Sequence, residues 1–228
     1  MEYQENGDVQ MILFIYGASS AAIEIYDLAE RVNALSRRYS KIYLIDDFEE
    51  ESSYYGTDRI HFSSCETAAT EDFEFIIAVG EPSARASLLK RIEENGYKLA
   101  TLIDPSAMVS STARIAPGCI VNAQSIVSSM VVMEKNCFLG FHVVVGHDAY
   151  LKKNTVVCPM ATVGGGSIVG ENTFIGLNSS MKEGVNLGDH VIVGMGAMVF
   201  RSVEDGCTVL GNPARVTKGN DAHRVFRK

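Results

Sequence analysis

The chain has 228 residues, 46% of them hydrophobic, which suits one large domain or two small ones with a sizeable core. A formal net charge of −8 argues against nucleic acid or an anionic membrane as a partner, and no apolar run approaches the length needed to span a membrane. Five cysteines without a CxxC motif or paired spacing, together with an N-terminus (MEYQENGDVQ) that lacks signal-peptide features, predict a cytoplasmic protein with reduced thiols.

The first hundred residues alternate apolar runs with amphipathic segments. The predicted strands are Met11–Tyr16, Lys41–Ile45, Phe75–Val79 and Leu99–Ile103, and the predicted helices are Ala22–Leu35 and Ser83–Glu94. The polar, acidic stretch 49–72 is predicted to be a loop with one short strand. This alternation is typical of a small Rossmann-like parallel α/β unit. We therefore predict a first domain over residues 1–103 and a second over residues 104–228.

Small or polar residues follow the ends of these predicted strands. Ser19 and Ser20 begin the first helix, whose N-terminal N–H groups could bind phosphate, although the segment is not a GxGxxG motif. Asp46 and Asp47 follow the second strand, and Gly80 follows the third. The carboxyl edge of a parallel sheet is where ligands bind, and an acid there could accept hydrogen bonds from a ribose or a base. A capped turn at the serines and a solvated turn at the aspartates remain the alternatives.

From residue 109 to residue 199, a large apolar residue recurs at every sixth position without a miss. The sixteen members are Val109, Ile115, Val121, Val127, Met133, Leu139, Val145, Leu151, Val157, Val163, Val169, Ile175, Met181, Leu187, Val193 and Val199. A small or β-branched residue stands four places after nearly every one. A period of six fits neither a helix nor a flat strand, and predicts a short strand and a corner, with three steps closing one triangular coil. Glycines that directly follow several apolar residues are expected to permit the bend.

His147 and Asp148 stand out within this repeat because both occupy outward positions. An exposed imidazole can act as a general base near neutral pH, and a nearby acid can orient it. A lone exposed histidine can equally be surface decoration. His142 lies five residues earlier, but a zinc site needs three or four ligands, and counting in threes puts His190 on another side of the coil. We therefore predict no metal.

These residues resemble a known family. The hexapeptide series, with the closing segment 209–215 (VLGNPAR), resembles the left-handed parallel β-helix acyltransferases. The segments YGASS, LIDDF, IAVGEP and LIDPSA resemble members that join a nucleotide-binding domain to the β-helix, namely bacterial sugar-nucleotide amino-sugar N-acetyltransferases and relatives described as sialic acid O-acetyltransferases.

The resemblance implies a homotrimer with acetyl-CoA as co-substrate in a groove between neighbouring β-helices, and a nucleotide-linked amino sugar bound by the front domain. It implies that His147 is the catalytic base, followed by the acid Asp148. It also implies substrate-binding positions at Ser19, Ser20, Asp46, Asp47 and Gly80, and acetyl-CoA positions at Val156, Gly165, Leu177 and Met195. Position 156, often a histidine in relatives, is valine here.

The predicted function is transfer of acetyl from acetyl-CoA to the 4-amino group of a nucleotide-linked amino-dideoxy sugar, for bacterial glycan biosynthesis. Two alternatives stay open at this point, and a third is set aside. The acceptor could be a hydroxyl of sialic acid or another sugar, or the chain could be a non-catalytic scaffold that keeps the fold. A β-helix carbonic anhydrase would need a third suitable histidine and would leave the front domain unexplained.

Overall fold

A computed structural model describes residues 11–50 and 52–226. The front domain is a six-stranded sheet in the order β3-β4-β2-β1-β5-β6, parallel except for the β3–β4 hairpin. Its elements are β1 (Met11–Tyr16), α1 (Ser20–Ser36), β2 (Tyr39–Ile45), β3 (Ser52–Tyr54), β4 (Thr57–Ile60), a 3₁₀ turn (Phe62–Ser64), α2 (Cys65–Ala68), β5 (Phe73–Ile77), α3 (Pro82–Glu94) and β6 (Lys98–Leu99). The predicted parallel α/β unit is confirmed.

Two details of the front domain differ from the prediction. The stretch expected to be a loop with one strand holds a hairpin, a 3₁₀ turn and a short helix, because its short polar strands have no apolar alternation to reveal them. The predicted strand Leu99–Ile103 is two strands: Lys98–Leu99 pairs with β5, and Leu102–Ile103 begins the second domain. The second domain's first strand therefore starts two residues before the predicted boundary.

The second domain is a triangular prism of stacked coils, as the period of six predicts. Its two-residue strands lie on three sides. Side 1 holds β7 (Leu102–Ile103), β10 (Ile120–Val121), β13 (Phe138–Leu139), β16 (Val156–Val157), β19 (Phe174–Ile175) and β22 (Ile192–Val193), and is extended by β24 (Cys207–Leu210) and β25 (Arg215–Gly219). Side 2 holds β8 (Met108–Val109), β11 (Ile126–Val127), β14 (Val144–Val145), β17 (Thr162–Val163), β20 (Ser180–Met181) and β23 (Met198–Val199). Side 3 holds β9 (Arg114–Ile115), β12 (Val132–Met133), β15 (Tyr150–Leu151), β18 (Ile168–Val169) and β21 (Asn186–Leu187).

The sequence period explains this packing directly. Ile120 pairs in parallel with Phe138, three steps of six further along, so each strand stacks on its equivalent in the next coil. The second residue of most of these strands points into the prism, and so does the small residue before each strand; Val121 and Cys119 are both fully buried. Their burial forms one continuous apolar core along the prism axis.

The glycines that follow apolar residues have a different role from the predicted one. From residue 118 to residue 196, the left-handed backbone lies two residues later at each corner, and is held by residues such as Gln124, Asn136 and His142, with φ between 56° and 61°. The glycine in the expected bend position is instead required by close stacking of the coils. A Cβ on Gly170 would lie 2.1 Å from the Gly188 carbonyl oxygen, so only glycine fits there.

Side 1 carries the front domain. Leu102 and Ile120 belong to the same buried cluster as α1 and β1, and Phe138 packs against it. Arg31 of α1 makes an ion pair of 2.7 Å with the buried Asp104. No other part of the described chain covers sides 2 and 3 in this way. Within the described ranges, no helix has the length and apolar character needed to cross a bilayer.

Candidate functional site

A cleft of about 670 Å³ opens at the carboxyl ends of β1, β2 and β5. Three of the five predicted substrate-binding residues line it, namely Asp46, Asp47 and Gly80. Ser19 and Ser20 are exposed at the start of α1 and are not among the residues that line the cleft. Ser19 is the N-cap residue, but its side chain makes no capping hydrogen bond, so its hydroxyl is available at the end of the helix.

Asp47 is held by groups of the protein itself. Its Oδ2 accepts hydrogen bonds from the Tyr16 hydroxyl at 2.5 Å and from Arg91, and its Oδ1 accepts the Phe62 N–H at 2.9 Å. Burial alone would raise the pKa of Asp47, but these three hydrogen bonds and the charge of Arg91 outweigh it and leave the pKa below its usual value. The carboxylate is therefore ionised and positions Arg91.

Asp46 is less committed. Its Oδ1 accepts the Phe48 N–H at 3.0 Å, and its Oδ2 lies 4.0 Å from Arg59. Phe48 also lines the cleft and is 97% exposed, a large apolar ring without cover within the described chain. Of the two predicted acids, Asp46 is the one with acceptor capacity left for a ligand.

The C-terminal segment forms another wall that the sequence analysis did not predict. Arg224 and Phe226 line the cleft together with Arg91, which also lay outside the prediction. Glu81, buried before α3, accepts the N–H groups of Val225 and Phe226 at 2.9–3.2 Å. The polar, basic composition of residues 218–228 was the sole sequence signal, and it carried no information about where the segment docks.

The second candidate site lies at the corner between sides 2 and 3. His147 and Asp148 follow β14 and are both exposed, and His147 Nδ1 lies 2.7 Å from Asp148 Oδ2. Asp148 has a left-handed backbone, with φ of 58°, and this turns its carboxylate toward the neighbouring imidazole. With Nδ1–H donated to the carboxylate, Nε2 is the ring nitrogen left to accept a proton.

Gly165 lies one coil further along at the same corner, beneath the imidazole. A Cβ on Gly165 would lie 2.9 Å from His147 Nε2, so the ring occupies the space that a side chain would need. The Gly165 N–H makes no hydrogen bond within the part of the chain that the structure describes. The corner thus brings together the imidazole of His147 and a residue whose backbone N–H has no partner in the described chain.

The other predicted acetyl-CoA positions lie elsewhere. Leu177 and Met195 are stacked at the corner between sides 1 and 2, where their side chains are 50% and 78% exposed. Val156 lies in β16 on side 1 and is buried. The structure therefore brings Leu177 and Met195 together, brings Gly165 to His147, and places Val156 on neither exposed corner.

His142 and His190 do not join His147. His142 stands at the corner between sides 1 and 2, and His190 stacks on His223 of the C-terminal segment with ring centroids 3.8 Å apart. Among the residues that the structure describes, no three histidine, cysteine, aspartate or glutamate side chains gather where they could hold a metal ion. None of the five cysteines forms a disulfide bond, and Cys119 and Cys137 are buried in the coils.

Comparison with known proteins matches both halves of the chain. Residues 12–92 match the PglD N-terminal domain, and residues 166–201 match the hexapeptide repeat of succinyl-transferase. The acetyltransferase domain of PglB from Neisseria gonorrhoeae FA1090 is 28% identical, with a TM-score of 0.84 over 90% of this chain and 99% of that one. The same domain in complex with acetyl coenzyme A matches over 91% of this chain and 100% of that one, again at 28% identity and a TM-score of 0.84. PerB from Caulobacter crescentus, in complex with CoA and GDP-perosamine, shares the fold, at 23% identity and a TM-score of 0.78 over 90% of this chain and 97% of that one.

Proposed function

We propose that this chain, which belongs to the left-handed β-helix acyltransferases with hexapeptide repeats, transfers an acetyl group from acetyl-CoA to the amine of a nucleotide-linked amino sugar. The observation that carries this proposal is the His147–Asp148 pair beside the free Gly165 N–H. The similarity to an acetyltransferase domain that binds acetyl coenzyme A, over nearly the whole of both chains, supports acetyl-CoA as the donor. The predicted 4-amino position of a dideoxy sugar follows from the resemblance of the front domain.

The corner supplies a base and an oxyanion donor. His147 Nε2 accepts a proton as the sugar amine attacks the thioester carbonyl carbon, and Asp148 stabilises the imidazolium through Nδ1–H. We assign the Gly165 N–H, which has no backbone partner in the described chain, as the donor to the carbonyl oxygen as negative charge develops on it. The C–S bond then breaks, the proton passes from the imidazolium to the CoA sulfur, and the N-acetyl sugar and CoA leave. Attack is direct, since each step is supplied without a protein nucleophile.

The front cleft is the proposed acceptor site. Asp46 keeps acceptor capacity for a ribose or base, Gly80 leaves the wall open, and Asp47 acts by positioning Arg91. Ser19 and Ser20 are not among the residues that line the cleft, so they would contact only a ligand that extends beyond it. Of the proposed acetyl-CoA positions, Gly165 lies next to the proposed catalytic base, His147. The exposed Leu177 and Met195 offer apolar surface at the corner between sides 1 and 2. Val156 stays a prediction: its side chain is buried, so contact with acetyl-CoA would require the residues that cover it to move.

The two halves of this site face different directions within one chain. The front domain covers side 1, whereas His147 stands at the opposite corner, between sides 2 and 3. A sugar held in the cleft of one chain therefore needs the histidine of another, which supports the proposed homotrimer. We propose a cytoplasmic location as well, which the five cysteines support because none of them forms a disulfide bond.

The direct experiment measures release of CoA thiol from acetyl-CoA with a panel of UDP-, dTDP- and GDP-linked amino sugars, each paired with its hydroxyl analogue. Turnover with an amine and not with its hydroxyl analogue supports the proposal. Preference for a hydroxyl would replace it with O-acetylation. Acetyl-CoA binding without turnover on any acceptor would favour the scaffold alternative.

Complementation tests whether the site is shared between chains. Chains carrying His147→Ala and chains carrying Gly80→Leu, which fills the cleft, should each be inactive alone. Mixed oligomers should regain activity if the cleft of one chain works with the histidine of another. Mixed oligomers that form but stay inactive would show that each chain uses its own histidine.

A further inference from the structure

We propose that the C-terminal segment 220–226 is a built wall of the acceptor cleft, and that Arg224 binds the diphosphate of the nucleotide sugar. This inference rests on the proposed function and adds to it a specific residue and the group it recognises. Four observations support it: the way the segment is anchored, the freedom of the Arg224 guanidinium, the composition of the cleft, and the packing of Phe226.

The segment is fixed to the β-helix at its start. Asn220 donates through Nδ2 to the His190 carbonyl at 2.9 Å and accepts the Arg224 N–H on Oδ1 at 3.0 Å. His223 stacks on His190. These contacts form a compact turn from Asn220 to Arg224 that holds the following residues on the front domain.

The segment is fixed to the front domain at its other end. Both oxygens of Glu81, which is 8% exposed, accept hydrogen bonds from the backbone N–H of Val225, and Oε2 also accepts that of Phe226. A buried carboxylate needs such partners, because an unpaired one costs several kcal/mol. The anchor is therefore a specific contact, because water has little access to the buried Glu81 carboxylate.

Phe226 closes the wall against both domains. Its ring meets Phe174 of β19 edge to face, with centroids 5.6 Å apart, and lies 3.9 Å from where a Cβ on Gly80 would be. Phe226 therefore connects the β-helix to the wall of the cleft at Gly80.

Arg224 lines this cleft, and its side chain has no partner among the described residues. Its guanidinium makes no hydrogen bond or ion pair within the described chain, and the residue lines the same cleft as Asp46, Asp47 and Glu81. Arg91, the other cleft cation, is already paired with Asp47. A planar guanidinium pairs with phosphate through two parallel hydrogen bonds, which makes a diphosphate the fitting ligand. In a chain of net charge −8, a free cation at this cleft is also the local basic group that a phosphorylated substrate needs.

Calorimetry with UDP, dTDP and GDP on the full chain tests the proposal, with acetyl-CoA titrated in parallel. Arg224→Ala should weaken binding of the preferred nucleoside diphosphate by about tenfold or more and leave acetyl-CoA binding unchanged. The free nucleoside should bind equally to both proteins, because it lacks the phosphates. Glu81→Ala, which releases the segment, should weaken diphosphate binding similarly. Lys98→Ala removes one exposed positive charge from β6, outside the cleft, and should have no effect.

Two results would overturn the inference. Unchanged diphosphate affinity in Arg224→Ala would exclude the assigned contact. Tighter binding in Arg224→Ala or Glu81→Ala would show that the segment obstructs the cleft rather than completing it. A wild-type chain that acetylates amino sugars while Arg224→Ala binds normally would sink this inference alone, whereas a wild-type chain that neither binds a nucleoside diphosphate nor acetylates any sugar would sink the proposed function as well.

Discussion

Arg85 of α3 and Asn136 of the β-helix hold the two domains together through a buried hydrogen-bonded pair. The guanidinium donates to the Asn136 carbonyl at 2.9 Å and to its Oδ1 at 2.6 Å, and Asn136 Nδ2 donates back to the Arg85 carbonyl at 3.2 Å. Nε–H also donates to the Asn136 carbonyl, and Nη1 donates to the carbonyls of Ile77 and Val79. Burial lowers the pKa of Arg85 to about 10, and no carboxylate is among its partners in the described chain.

Arg85→Ala should lower the free energy of unfolding by about 2–4 kcal/mol, because it leaves several buried carbonyl groups without a donor. Chemical denaturation followed by circular dichroism measures this. Lys90→Ala, on the exposed face of the same helix, is the control and should change stability by no more than about 0.5 kcal/mol. Equal effects of the two substitutions would mean that the buried pair does not hold the domains.

His147→Ala should lower kcat by about 10²–10⁴-fold with the fold intact, because the exposed ring contributes proton transfer and no core packing. Steady-state kinetics and sedimentation check the two parts of this statement. His142→Asn changes another exposed corner histidine to a residue that accepts the same left-handed backbone, and should leave kcat near the wild-type value. Near-normal turnover of folded His147→Ala would remove the histidine from the mechanism.

Asp148→Asn should reduce kcat by less than His147→Ala does, because asparagine accepts the left-handed backbone and keeps an acceptor near Nδ1 while losing the charge. The comparison of the two kcat values under saturating substrates is the measurement. A larger loss from Asp148→Asn than from His147→Ala would assign the primary role to the acid.

Neighbouring glycines should separate catalysis from stability. In Gly165→Ala the new Cβ would press on the His147 ring, so kcat should fall by about 10- to 100-fold with little change in stability, since a side chain can move aside. In Gly164→Ala the Cβ would lie 2.5 Å from the backbone nitrogen of Glu183, so the protein should lose about 1–3 kcal/mol of stability. Thermal unfolding and kinetics on both variants test this contrast, and the reverse pattern would contradict it.

Lowering the pH should loosen the C-terminal segment. Burial, followed by the adjacent His223, lowers the pKa of His190, and the nearby acids Asp189, Glu171 and Asp205 offset this in part. The folded state thus favours the neutral imidazole, so its contribution is complete above about pH 6.5 and is lost as the pH falls through the lowered pKa.

The measurement is amide hydrogen exchange of Val225 and Phe226 at pH 7.5 and pH 5.5, corrected for intrinsic exchange rates. Protection of these amides should fall at the lower pH. It should hold in His190→Phe, which keeps a stacking ring that does not titrate. The same loss in both proteins would show that His190 is not the group responsible.

The repeat was predictable from the sequence because every inward position obeys one rule. The axis of the prism admits a large apolar residue and a small one per step, so Val121 and Cys119 reveal their places without any knowledge of the rest of the fold. The ends of β1, β2 and β5 were predicted within about two residues, because each of these strands contains a continuous buried run, as β1 shows from its second residue onward.

The long-range polar contacts were not predictable. Arg85 lies in an ordinary amphipathic helix and its burial depends on Asn136, 51 residues further along the chain. Glu81 and Phe226 are separated by 145 residues, and no local pattern connects them. Asp47 looked like a ligand group because it ends a strand, yet Tyr16 and Arg91, which occupy it, could be identified only when the sheet and α3 were in place. His147 was identified because its partner is the next residue.

The stacking of equivalent residues 18 apart, as in the ladder Asn136–Asn154–Asn172, limits how such a chain can change in length. Insertion or deletion of one full coil lengthens or shortens the prism and returns each later residue to the side it occupied before. A change of a single step keeps the apolar core satisfied but rotates everything beyond it by one side. A histidine and a glycine that shared a corner would then stand on different ones. Where a catalytic corner must be preserved, the chain can therefore gain or lose residues within the prism in units of three steps. Smaller insertions and deletions are confined to the ends of the prism or to loops that leave it.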